Sequence, residues 1–203
     1  PEEPTMKPMP FSQSCENNKW PILEKLQHVF TQPGLILEIG TGTGQHIELF
    51  AEQLPHLQWQ PSDRPGEHEL CRQRLEAANL PNVKAPLPLD VLEPGWPLSR
   101  ADGAFSANTL HIMGWNGVEA LFRGLGSLLP KGGYFCAYGP FNQAGQFTSD
   151  SNARFHEHLR SQDPAMGIRD IEDLKPLGDG TGLALIEQCP MPANNQLLVW
   201  QRR

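Results

Sequence analysis

The chain has 203 residues and a formal net charge of −7, a length that suits one domain with a substantial core. The acidity disfavours a general nucleic-acid binder, which presents a basic face. No apolar run approaches a membrane span and no signal peptide is visible, so a cytoplasmic protein without membrane contact is expected.

The first ten residues hold four of the chain's twenty prolines, and residues 1–20 read as a flexible arm or lid. The folded domain is expected over 21–203. Pro21 suits a helix start, and Ile22, Leu23, Leu26, Val29 and Phe30 give that helix its apolar stripe. Pro33-Gly34 stops it. Residues 35–39 read as a buried strand and 45–54 as a helix with Ile47, Leu49, Phe50 and Leu54 inward. A second strand covers 57–60. A polar helix follows over 67–78, with Leu70, Leu75 and Ala78 facing in. The third strand, 83–89, is broken by prolines and belongs near a sheet edge. Residues 103–107 form the fourth strand, 118–129 a helix and 134–138 the fifth strand. The last two strands, 183–189 and 197–201, are close enough to make a hairpin.

Alternating strands and helices predict an α/β fold: a doubly wound, mostly parallel, seven-stranded sheet with one antiparallel strand. Residues 139–181 break the rhythm. They hold two short helices, near 151–161 and 170–177, and are expected to cap the carboxyl ends of the strands. Ligands bind there in open α/β folds.

The most informative segment is Leu35-Ile36-Leu37-Glu38-Ile39-Gly40-Thr41-Gly42-Thr43-Gly44-Gln45-His46. A strand, a glycine turn and a helix set a ligand against backbone N–H groups at a helix N-terminus. Glycine lets the main chain approach that ligand without a Cβ in the way. Glu38 can accept a hydrogen bond from a ligand ammonium. A dinucleotide site wants the third glycine three residues after the second, but Gln45 stands there. This spacing disfavours an NAD-linked oxidoreductase. Asp63 lies nineteen residues beyond Gly44, where an acid can take two ribose hydroxyls.

The pattern acid-x-Gly-x-Gly-x-Gly resembles motif I of the class I S-adenosylmethionine-dependent methyltransferases. Further segments resemble a narrower family of small bacterial proteins grouped with methyltransferase-like protein 26, long described as a domain of unknown function. They include residues 11–23, 54–63, Ala107-Asn108-Thr109-Leu110-His111-Ile112-Met113 with Trp115, Tyr138-Gly139-Pro140-Phe141, 147–155, 163–170 and Pro192-Ala193-Asn194-Asn195. The likeness runs over 11–202.

The resemblance implies a Rossmann-like methyltransferase that binds S-adenosylmethionine and releases S-adenosylhomocysteine. Glu38, Gly40, Thr41, Gly42, Gly44, Gln45 and His46 would cradle it, and Asp63 would hold the ribose. Asp90 and Val91 would face the adenine. Asn18, Ala107 and Asn108 would lie at the sulfonium end. His111 is a candidate general base, with Tyr138 beside it. Glu16, Trp115, Asn152, Arg154 and Arg169 are the candidate acceptor contacts.

No metal is expected. Cys15, Cys71, Cys136 and Cys189 form no Cys-x-x-Cys pair, and His156 and His158 point apart on their helix. The acceptor is expected to be a small molecule carrying a thiol, hydroxyl, carboxylate or amine, and a homodimer is compatible with the sequence. The rival readings are a silent cofactor-binding module and an RNA or protein methyltransferase. Acidity and the lack of an Asn-Pro-Pro-Tyr motif disfavour nucleobase amino groups.

Overall fold

The computed structural model describes residues 7–203; the first six residues of the expected arm lie outside the described residues. In chain order the first half contains α1 (Gln13–Val29), β1 (Gly34–Ile39), α2 (Gln45–Gln53), β2 (Leu57–Asp63), a 3-10 turn (Glu67–Glu69), α3 (Arg72–Ala78), β3 (Leu87–Pro88) and β4 (Gly103–Ala107). The second half contains α4 (Trp115–Leu128), β5 (Tyr134–Gly139), β6 (Phe141–Asn142), α5 (Asp150–Gln162), β7 (Arg169–Asp170), α6 (Ile171–Thr181), β8 (Leu183–Met191) and β9 (Asn195–Arg202).

Seven strands form one sheet in the order β3-β2-β1-β4-β5-β9-β8. The pairs from β3 to β5 are parallel, whereas β9 runs antiparallel to both neighbours. This is the expected seven-stranded sheet with one antiparallel strand. Successive side chains of a strand face opposite sides, and here both sides are buried. Ile36, Phe105, Cys136 and Val199 join the core under α1, α2 and α3. Leu37, Ala104, Phe135 and Trp200 join the core under α4 and α6. The continuous apolar runs in the sequence follow from this double burial.

Three elements differ from expectation. The first helix begins at Gln13, with Pro21 inside it. Ser12 caps the helix, its Oγ accepting from Cys15 N–H at 3.2 Å. Pro21 has no N–H to donate to the Asn17 carbonyl, a cost of about 3 kcal/mol. Burial of Ile22, Leu23 and Leu26 offsets it. The expected helix 67–78 is split into the 3-10 turn and α3. Only Cys71 and Leu75 are buried there, and Leu70 is exposed, so no apolar stripe holds a longer helix. The third strand pairs with β2 only through Leu87 and Pro88, with an isolated bridge from Val83 to Trp59. It does lie at the sheet edge, where proline is tolerated.

The insertion after β5 closes on itself, because β6 pairs in parallel with β7. Its outgoing helix, α6, packs tightly on α4. A Cβ at Gly126 would stand 2.1 Å from the Thr181 carbonyl oxygen. Gly126→Ala must therefore push α4 and α6 apart, and urea denaturation should show a loss of about 1–3 kcal/mol, the range for overpacked sites.

Candidate functional site

Strand order reverses between β1 and β4, and the crevice outside the carboxyl ends of such a pair is where open α/β sheets bind ligands. The glycine turn after β1 is stitched onto the end of β2. Thr41 N–H donates to the Ser62 carbonyl at 2.9 Å, and Ser62 N–H donates back to Thr41 Oγ1 at 3.0 Å. Gly42 has a φ of +56° and open space where a Cβ would project. Gly44 has a φ of +85° at the start of α2, and a Cβ there would meet that of Cys71 at 3.0 Å. The turn therefore leaves an empty crook against backbone, beside a helix N-terminus.

Asp63 borders this crook. Its carboxylate accepts from Gly42 N–H at 3.0 Å and from Arg64 N–H at 2.9 Å. A carboxylate offers about four acceptor sites, so further bonds remain open to it. Leu89 N–H donates to the Asp63 carbonyl at 2.7 Å, which brings Asp90 and Val91 alongside. Asp90 caps its own turn, accepting from Leu92 N–H at 3.0 Å. Val91 packs against the α4 core.

Glu38, at the end of β1, is 1% exposed, and its Oε1 has no hydrogen-bond partner. Burial pushes its carboxyl well above the usual range, against the pull of the Thr41 hydroxyl. His46 faces it, with Nδ1 3.9 Å from Glu38 Oε2. The other nitrogen, Nε2, lies 2.6 Å from Asn18 Oδ1. With an amide oxygen as acceptor, Nε2 carries the proton and Nδ1 is bare. Burial, with Lys19 nearby, lowers the His46 pKa to about 4. Asn18 also adjoins the Tyr138 phenol, as does Asn195, while burial raises the phenol pKa. A continuous polar line thus runs from Glu38 through His46 and Asn18 to Tyr138.

That line ends in a cavity of about 610 Å³ between α1, the ends of β4 and β5, the start of α5 and the β8–β9 hairpin. Asn18, His46, Ala107, Asn108, His111, Tyr138 and Asn152 all line it. Asn108 takes a left-handed conformation, φ 53°, and its N–H donates to the Tyr138 carbonyl at 2.8 Å. This reversal after β4 turns His111 inward. The imidazole meets Phe155 edge-on, with ring centroids 5.3 Å apart. Burial, assisted by the Arg169 charge, lowers the His111 pKa to about 4, so the ring is neutral near pH 7.

Other candidates stand elsewhere. Glu16 lies in α1, pairs with Lys19 at 2.6 Å and accepts from Gln45 Nε2 at 2.9 Å. Gln45 is buried and clamps the start of α1, accepting from Ser12 N–H at 2.7 Å and donating to its carbonyl at 3.2 Å. Arg169 donates to the carbonyls of Leu110, Met113 and Ala165 at 3.1, 2.5 and 2.9 Å, and lies 5.8 Å over the Trp115 ring. These bonds fasten the insertion after β5 to the segment after β4. Arg154 is exposed on α5. Glu16, Trp115, Arg154 and Arg169 do not line the cavity.

Sequence reasoning missed Cys15, Asn17, Phe155 and Asn195, which do. Asn17 lies in α1 between the two candidates Glu16 and Asn18, and shares the cavity with Asn18. Asn195 follows a hairpin tip in which Ala193 and Asn194 both have φ 59°, a primed turn that the sequence shows only as Ala-Asn. Among the described residues, no group of three or more His, Cys, Asp or Glu is placed to hold a metal. No helix there is long and apolar enough to cross a membrane.

The fold is similar to those of several solved methyltransferases. One is an O-methyltransferase family protein from Burkholderia thailandensis, at TM-score 0.79 and 17% identity over 93% of this chain and 57% of that one. Another is the apo form of the S-adenosylmethionine-dependent methyltransferase SibL, at 0.77 and 19% over 93% and 55%. A third is an O-methyltransferase family 2 protein from Planctomyces limnophilus in complex with apigenin, at 0.78 and 16% over 94% and 60%. Such identities establish the fold alone, and the chain spans a little over half the length of these proteins. The family model for the protein of unknown function DUF938 matches residues 9–202, and the chain belongs to that family.

Proposed function

We propose that the chain is an S-adenosylmethionine-dependent methyltransferase acting on a metabolite-sized acceptor. The observation that carries this reading is a glycine turn with open space at Gly42 and Asp63 at its border, preceded by Glu38 with an unpartnered Oε1, together with a separate cavity of about 610 Å³ at the ends of β4 and β5 that the glycines, Glu38 and Asp63 do not line. Such a volume falls in the usual range for small-molecule sites. A cytoplasmic setting and the grouping with methyltransferase-like protein 26 belong to the same reading.

The donor set fits the cofactor. Glu38 offers an unused acceptor for an ammonium, the start of α2 favours a carboxylate, and Asp63 has acceptor sites left for a ribose. Gly40, Thr41, Gly42 and Gly44 would line its path, Asp90 and Val91 its adenine end, and Ala107, Asn108 and Asn18 its reactive end. Bound S-adenosylmethionine supplies a methyl carbon already activated by a sulfonium.

The chain's own contribution is placement, exclusion of water and management of a proton. Asn108, Asn152 and Asn195 orient the acceptor in the cavity. His111, neutral near pH 7, takes a proton from an acceptor hydroxyl or thiol as methylation proceeds. Tyr138 stays protonated and can donate a hydrogen bond to the same acceptor. Gln45 ties the opening turn of α1 to the glycine turn, so cofactor and acceptor regions share one wall.

Two outcomes are expected. Gly42→Val places a β-branched side chain in the crook at a φ that L residues resist, so calorimetry should show S-adenosylmethionine affinity falling by more than about tenfold. The unaltered protein should bind S-adenosylmethionine and S-adenosylhomocysteine and ignore NAD. Tight NAD binding, or full affinity in the variant, would refute the assignment.

His111 generates a prediction in pH. Its folded pKa of about 4 lies below the ordinary value of 6.5. Above 6.5 both folded and unfolded chains are neutral at this ring. Between 6.5 and about 4 only the unfolded chain takes the proton, so acidification costs stability, on the order of 3 kcal/mol across the window. His46 titrates over the same window, so His111→Asn should remove about half of the fall of melting temperature there and leave the rest. With an acceptor present it should also lose most turnover while keeping its affinity for S-adenosylmethionine. Turnover equal to that of the unaltered protein would remove His111 from the chemistry.

A further inference from the structure

Among the described residues, no side chain lining the cavity is Asp, Glu, Lys or Arg, although these types make up 19% of the chain. Asparagine dominates instead, with Asn17, Asn18, Asn108, Asn152 and Asn195 on the wall. The titratable groups there are neutral as well. His46 and His111 are held near pKa 4. Burial raises the Tyr138 phenol and the Cys15 thiol, so both keep their protons.

The charges that approach this wall stand behind it and are engaged. Arg169, behind His111, is committed to three carbonyls and the Trp115 ring. Lys19 and Glu16 pair with each other. Glu38, behind His46, is buried in conditions that favour its neutral form.

A carboxylate or ammonium entering this space would shed water and find no side chain of opposite charge, a costly exchange. A neutral hydroxyl or amide would lose little. Part of the asparagine capacity is already used, since Asn152 donates to Thr148 and the Asn194 carbonyl, Asn18 holds His46, Asn17 accepts from Gln13 and Asn195 donates to the Pro192 carbonyl. The amide groups left over, Asn108 among them, meet a neutral polar ligand, while Pro21, Pro140 and Phe155 supply apolar contact. The geometry points to an acceptor that enters uncharged, with apolar and hydrogen-bonding surface both, to the exclusion of carboxylates and ammonium ions. This rests on the methyltransferase reading and disfavours the carboxylate among its four candidate acceptor groups, with an amine admitted only as its free base.

The test uses the full chain saturated with S-adenosylhomocysteine and three probes on one ring: para-hydroxybenzyl alcohol, para-hydroxybenzoate and tyramine. Ligand-observed NMR should rank the neutral alcohol above both ions by about tenfold or more, the scale of an uncompensated charge. Ser151 lies at the exposed rim of the cavity, in the first turn of α5. Ser151→Glu should raise tyramine affinity several-fold and lower that of para-hydroxybenzoate.

Equal or tighter binding of either ion to the unaltered protein would overturn the proposal. So would failure of the neutral alcohol to bind at all. The preceding titration with S-adenosylhomocysteine tests the methyltransferase reading separately. If that ligand fails to bind, the reading falls, and the charge ranking is then measured on the protein alone.

Discussion

The way the chain leaves β1 governs everything at the carboxyl edge. Ser62 Oγ donates to the Glu38 carbonyl at 2.5 Å, and Thr41 exchanges two bonds with the Ser62 backbone. These contacts fold the glycine turn onto β2 rather than letting it project into solvent. The start of α2 is then aimed at the crevice, with Gln45 and His46 as its first residues. Gln45 clamps α1, and His46 meets Asn18 on the same helix. One reversal of backbone therefore positions a helix that begins more than twenty residues earlier in the chain.

The same region holds most of the domain's difficult burial. Glu38, Gln45, His46, Asn18 and His111 are all nearly inaccessible. A buried polar group is costly unless it is paired. Gln45 is satisfied by Ser12 and Glu16, and Asn18 by His46. Glu38 Oε1 is not. The local imbalance is of the kind that a ligand cation would remove, and this is why the acid of the glycine motif matters more than its charge alone suggests. Burial also decides protonation. It leaves the two histidines bare of extra protons and moves the Glu38 carboxyl toward its neutral form, so the polar line carries hydrogen bonds in place of ion pairs.

The fold was largely readable, because strands buried on both faces leave unbroken apolar runs and helices leave periodic ones. The sheet, its single antiparallel strand and the proline-disrupted edge follow from such patterns. The glycine turn was readable for the same local reason. The acceptor side was harder. Arg169 is polar and lies in the expected cap, but its partners are carbonyls, and sequence cannot distinguish a guanidinium that binds ligand from one that fastens a loop. Pro21 misled in another way. Proline is usual at a helix start, whereas here the stripe formed by Asn18, Ile22 and Leu26 carries the helix through it. The asparagines of the cavity come from α1, the turn after β4, α5 and the last hairpin. No periodicity in the sequence relates positions so far apart.

The structural use of Arg169 explains how the cavity stays uncharged. The insertion after β5 is fastened to the segment after β4, which presents carbonyls that need donors. A guanidinium has five N–H groups and no acceptor, so it satisfies several carbonyls at once. Its charge adds to the burial that lowers the His111 imidazole pKa, and the side chain does not line the cavity. Gly167 N–H adds a bond to the His111 carbonyl at 3.0 Å, fixing the backbone on which that ring is mounted. Arg169 thus both fastens this segment and adds to the burial that keeps His111 neutral. Any change that loosens this fastening should disturb the placement and the protonation of His111 together.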